Sequence, residues 1–102
     1  MDYHTARNII RLRKRLLAQR NETVDLEVEF RITRRSKYGG FLVQAFLPDG
    51  GGYYAQWFDK WDREYRLWEF MINTCQNYRW YYRVKVEDNG RVTVSLQDRK
   101  AK

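Results

Sequence analysis

Apolar residues recur along the chain with two periods, and the points where one period gives way to the other divide it into elements. Over residues 4–20, Ala6, Ile9, Ile10, Leu12, Leu16 and Leu17 share one broad arc at about 100° per residue, which predicts an amphipathic helix. Arg7, Arg11, Lys14 and Arg15 gather on the opposite side, while Arg13 and Arg20 fall inside the apolar arc. Their stems are expected along the core edge with the heads reaching outward. From Val24 to Thr33 the period becomes two: Val24, Leu26, Val28, Phe30 and Ile32 alternate with Asp25, Glu27, Glu29, Arg31 and Thr33, which predicts a strand. A polar, glycine-containing loop over 34–40 leads to a second alternating set, Phe41, Val43, Ala45 and Leu47, as its antiparallel partner. Leu42 and Phe46 then point to the outer face, which is not cleanly polar and leaves a homodimer open.

Pro48-Asp49-Gly50-Gly51-Gly52 reads as a turn followed by a glycine hinge, and residues 53–58 read equally as a short strand or as the approach to a helix. Asp59 is the expected cap of a helix running to about Asn77, with Trp61, Tyr65, Trp68, Ile72 and Cys75 as its buried stripe. That stripe puts Phe70 on the polar side, beside Arg63 and Arg66. Trp80, Tyr82, Val84 and Val86 then alternate with Arg79, Tyr81, Arg83, Lys85 and Glu87, and Asn89-Gly90 signals a hairpin. A three-residue loop, Asp88-Asn89-Gly90, sets Val86 opposite Val92, Val84 opposite Val94 and Tyr82 opposite Leu96, keeping apolar residues on one face.

The fold class expected from this order is α+β: an αββ-αββ pseudo-repeat, with two helices packed on two antiparallel hairpins. The units are 4–47 and 59–97, joined by a glycine-rich hinge at 48–58 and followed by a charged tail at 98–102, all within a single domain. The two-hairpin order differs from the βαββαβ of the RNA-recognition motif and from the αβββα of the double-stranded RNA-binding domain. Zinc-finger and helix-turn-helix spacings do not occur.

Composition supports a compact core: 43% of the 102 residues are hydrophobic and 17% aromatic, and each ring brings roughly 150–250 Å² of burial. No apolar run approaches the ~20 residues that would span a membrane. The start, Met1-Asp2-Tyr3-His4, does not resemble a signal peptide, and the one cysteine, Cys75, can form neither an internal disulfide nor a multi-thiolate metal site. The expectation is a soluble, intracellular (cytoplasmic) protein with no membrane partner.

Charge points toward partners. The formal net charge is +7, and residues 1–20 hold six basic groups against one acid. Residues 21–33 reverse this, with Glu22, Asp25, Glu27 and Glu29 against Arg31. A basic protein with an acidic stripe has at least two distinct faces.

The chemistry expected is binding rather than catalysis. His4 lacks a Ser, Cys or metal-ligand neighbour in sequence, and Cys75 continues an apolar stripe. Asp25, Glu27 and Glu29 on one strand face raise the question of a metal-dependent nuclease, but the Glu-x-Lys that such a site needs on the next strand is missing. The glycine runs lack the Gly-Lys-Ser/Thr of a phosphate loop. No enzyme activity, cofactor or metal is expected.

Two basic surfaces remain as candidates for sequence-nonspecific phosphate contacts to DNA or RNA. One is Arg7, Arg11, Lys14 and Arg15 on the first helix, and the other is the row Arg79, Tyr81, Arg83 and Lys85 on an exposed strand. The alternative expectation is a protein–protein interaction module. It would take a peptide or partner strand in an aromatic groove between the halves, lined by Tyr53, Tyr54, Trp57, Phe58 and Phe70.

Overall fold

A computed structural model describes residues 1–47, 54–89 and 92–96, the last five and 81–86 by their backbone. Helix α1 spans Tyr3–Gln19, a helical turn α2 spans Thr23–Leu26, and strands β1, β2 and β3 span Glu29–Arg35, Phe41–Phe46 and Ala55–Phe58. Helix α3 spans Glu64–Tyr81, and strands β4 and β5 span Tyr82–Val86 and Val92–Leu96. The α+β class holds. The first three strands form one antiparallel sheet in the order β1-β2-β3, and β4-β5 form a separate two-stranded sheet.

Local chemistry sets the ends of α1. The Asp2 carboxylate accepts the Thr5 amide at 2.7 Å, filling one of the donors that a helix start leaves unpaired. At the other end Asn21 adopts φ 57°, and the Asn21 and Glu22 amides donate back to the Ala18 and Leu17 carbonyls. This is a Schellman stop with Asn in place of Gly.

The chain then departs from the strand expected over Val24 to Thr33. Residues 23–26 make one helical turn, because Asp25 is engaged from two sides. The Arg13 guanidinium donates to the Asp25 carbonyl at 3.1 Å, and Arg79 pairs with the Asp25 carboxylate. Tertiary partners here outweigh a period-two pattern.

Strand β1 carries a bulge between Ile32 and Arg34, which switches its parity. Ile32 pairs with inward Val43, Arg34 then pairs with outward Leu42, and Arg35 turns toward α1 with its guanidinium 4.0 Å from the Tyr3 ring. The β1–β2 turn depends on Gly39 at φ 94° and on Gly40, where a Cβ would meet the Phe58 carbonyl at 3.2 Å.

Strand β3 pairs with β2, setting Phe41 opposite Phe58 and Leu42 opposite Trp57. Four residues of the expected hinge are therefore a strand, while 48–53, with its turn and glycines, lies outside the described residues. Asp59 does not cap α3. It closes a turn of its own, accepting the Trp61 and Asp62 amides, while the Asp62 carboxylate accepts the Asp59 amide. The Met1 ammonium donates to the Lys60 and Asp62 carbonyls at 2.6 and 2.7 Å, so α1 and α3 begin at the same end of the molecule.

The core lies between the two helices and the inner sheet face, with Phe30, Phe41, Val43, Ala45 and Phe58 below and Ala6, Ile9, Leu67, Phe70 and Met71 above. Phe70 meets Phe30 and Phe58 edge-on at 5.9 and 6.0 Å, which fixes the face that α3 buries. That face is Leu67, Phe70, Met71, Thr74, Cys75 and Tyr78. The expected stripe is corrected: Trp61 is 80% exposed, Tyr65 and Ile72 are exposed, and of its five members Cys75 alone is fully buried.

Helix α3 also runs on through Tyr81, so the strand expected from Arg79 begins at Tyr82. The register of the second hairpin is the expected one: Val86 faces Val92, Val84 faces Val94 and Tyr82 faces Leu96. The αββ repeat is not confirmed. A helix, a turn and three strands come first, and then a helix and two strands. Apart from α2, residues 3–81 follow the order helix, three strands, helix, so the two-hairpin ground for setting aside αβββα no longer stands.

Candidate nucleic-acid interface

Both helices pack on one face of the three-stranded sheet, and among the described residues no element packs on the opposite, open face. Strand β2 alternates buried Phe41, Val43 and Ala45 with half-buried Leu42, Gln44 and Phe46, which belong to the open face. Cross-strand pairing extends that face. Arg31 and Ala55 flank Gln44, Arg34 and Trp57 flank Leu42, and Glu29 faces Phe46. Trp57 is 53% exposed there. The Thr33 hydroxyl donates to the Gln44 side-chain oxygen, filling the bulge.

Arg31 is held flat on this surface. Its guanidinium makes two 3.0 Å bonds to the Glu29 carboxylate and lies 4.6 Å from the Phe46 ring centroid. The hydrogen bonds from Arg31, with the added charge of Arg31 and Lys14, hold the Glu29 carboxyl below its ordinary range. The acidic stripe seen in the sequence is thus divided. Glu29 pairs on the open face, Asp25 pairs with Arg79 of α3, and Glu27 lies beside α1.

Helix α1 runs along the β1 edge. Its Tyr3 lies under Arg35 at one end, and Ile10, Arg11 and Lys14 border a cleft against residues 26–30 at the other. Residues 3, 7, 10, 11 and 14 share one side of a helix, so Arg7 falls on the same flank. Arg7, Arg11, Lys14 and Arg15 are all exposed, and among the described residues none of them, nor Arg34, forms an ion pair. The flank and the open face meet at β1, joining Arg7, Arg11 and Lys14 to Arg31, Arg34 and Arg35.

The second basic row does not form as expected. Arg79 and Tyr81 belong to α3, and Arg79 is committed to Asp25. Arg83 and Lys85 lie in β4, in register with Ser95 and Thr93.

The aromatic set is also dispersed. Phe58 and Phe70 are core residues, and Tyr53 lies outside the described residues. Tyr54 is half-buried beside a cleft between β3 and α3 that Arg66, Glu69, Asn73 and Asn77 also line. Trp57, three residues on, faces the other side of the strand, so Tyr54 and Trp57 do not share a groove.

The sequence reading did not include Arg31 and Arg34 among the candidate residues. Arg31 stood in an acidic stripe, and only the bulge turns Arg34 outward. The signal for the open face was present in Leu42 and Phe46.

Among the described residues no three His, Cys, Asp or Glu side chains cluster to hold a metal ion, and no helix is long and apolar enough to cross a membrane. His4 packs edge-on against Tyr3 at 5.3 Å. Comparison with known proteins finds no matching family model, no matching curated protein and no matching solved structure.

Proposed function

We propose that the chain is a non-enzymatic nucleic-acid-binding protein that holds phosphates along the α1–β1 flank and lays unpaired bases across the open sheet face. The observation that carries this reading is the continuity of the two surfaces: exposed guanidiniums on α1 and β1, without ion pairs among the described residues, run directly onto a sheet face bearing exposed Trp57 and the Arg31–Phe46 stack. Cations that track a backbone beside rings that accept any base are what a single strand requires. Arg83 and Lys85 on β4 are further phosphate contacts in this reading.

The test is fluorescence anisotropy with matched single-stranded and duplex RNA and DNA. Single strands are expected to bind more tightly than duplexes, and Trp57→Ala is expected to weaken them by about 1–3 kcal/mol, the scale of one lost base stack. A preference for duplex RNA, indifferent to Trp57, would move the site to the helix–three strands–helix frame, which reads shape and phosphate.

A second reading is favoured by one observation. Strand β3 is an edge of its sheet, and the polar cleft against α3 runs beside it, so an extended peptide could add as a further strand. Partner binding that ignores both salt and Trp57, and that perturbs the Asn73 and Asn77 amides in NMR spectra, would support that reading instead.

A further inference from the structure

Arg13 is the one buried charged side chain among the described residues. It is 8% exposed, and among the described residues it forms no ion pair. Its Nη2 donates to the Asp25 carbonyl and to the Cys75 sulfur at 3.1 and 3.0 Å, and its guanidinium lies 4.9 Å from the Phe30 ring centroid. None of these partners carries a compensating charge. Burial raises the Cys75 pKa, so the sulfur stays a neutral thiol. The carboxylate of Asp25 is taken by Arg79. A buried ion without a counter-ion is costly even after relaxation, so its presence calls for a reason.

Beside it, between the C-terminal half of α1 and residues 68–79 of α3, lies a cavity of about 260 Å³. Its walls are largely apolar, with Leu16 and Leu17 on one side and Trp68, Met71 and Ile72 on the other. Ile72 is 52% exposed and Leu16 is also exposed, so the cavity opens to solvent at an apolar mouth. The ionisable groups that face it are Arg13, Arg20 and Arg79 against Glu22 and Asp25, three cations against two anions, together with the Cys75 thiol. One positive charge is left over. Nor do the helix ends supply the missing negative pole, because the Leu17 and Ala18 carbonyls of α1 already accept the Arg20, Asn21 and Glu22 amides.

We infer that this cavity is a binding site for a small amphipathic monoanion, an apolar body carrying a carboxylate, whose head neutralises Arg13 while its chain lies between Leu16, Trp68 and Ile72. The site is separate from the sheet face of the proposed nucleic-acid interface and does not depend on it.

Isothermal titration of the folded protein with decanoate, decanol and decyltrimethylammonium tests this. Decanoate is expected to bind at one site per chain and at least tenfold more tightly than decanol, with the cationic amphiphile weakest. Arg13→Met keeps the length of the side chain and removes the charge, so it is expected to abolish the preference for decanoate over decanol. Leu16→Trp, at an exposed position, is expected to block the mouth and weaken both ligands, which keeps the test decisive should Arg13→Met fail to fold. Equal affinity for decanoate and decanol, no saturable binding of either, or an undiminished decanoate preference in folded Arg13→Met would overturn the inference. Unchanged decanoate binding in folded Leu16→Trp would overturn it as well.

Discussion

At the scale of single residues, the structure turns on side chains that answer backbone groups. Asp2 holds the start of α1 through the Thr5 amide, and that bond, with the Thr5 side chain second, lowers its pKa below the ordinary value of 3.8. A carboxyl with a lowered folded pKa contributes stability that is present above the unfolded value and lost as pH falls through the folded one. Asp2→Asn keeps the acceptor and removes the titration. Thermal melts between about pH 5 and pH 2 are expected to show a shallower acid decline for Asp2→Asn than for the parent chain. Equal declines would mean that the cap does not feel its charge. Residue-level detail was partly legible in the sequence. The placement of Arg13 within the apolar arc announced that its stem would run along the core, but its head turns inward, because Cys75 and the Asp25 carbonyl wait there.

At the scale of elements, legibility followed the contrast between faces. Helix α1, the β1–β2 pairing and the β4–β5 register could be read because one period dominates the apolar positions, despite Arg13, Arg20, Leu42 and Phe46, or because one loop length alone keeps the faces separate. Helix α3 could not be read in this way. Tyr65, Trp68 and Ile72 mark one apolar face and Leu67, Phe70, Met71 and Tyr78 another, and only the rings of Phe30 and Phe58 decide between them. Short elements were harder for a different reason: α2 was missed and β3 was left open between a strand and a helix approach, because four residues each are too few for a period to declare itself. The orientation of α3 gives a direct expectation. Met71→Ala should cost about 2–5 kcal/mol in urea denaturation, as a buried large-to-small change, and Ile72→Ala no more than about 0.5. The reverse order would restore the stripe through Ile72.

At the scale of the whole molecule, the candidate site was legible in fragments. The cations of α1 are visible in the sequence as a stripe without acids, and Leu42 and Phe46 as apolar residues on an outer face. Their union was not visible, because it depends on a bulge that turns Arg34 outward and on α1 lying against the β1 edge. The claim that joins them is that one polyanion crosses from α1 to β1. The slope of log affinity against log salt, measured with a single-stranded oligonucleotide, reports how many phosphates are neutralised, at about −0.7 for each. Exposed substitutions leave folding within about 0.5 kcal/mol, so Arg7→Gln, Arg11→Gln and Arg34→Gln can be combined in one folded chain. The expected result is a steep slope for the parent and one shallower by roughly 2 for the triple variant. A parent affinity that does not change with salt, or an unchanged slope in the triple variant, would contradict a nucleic-acid site on this flank.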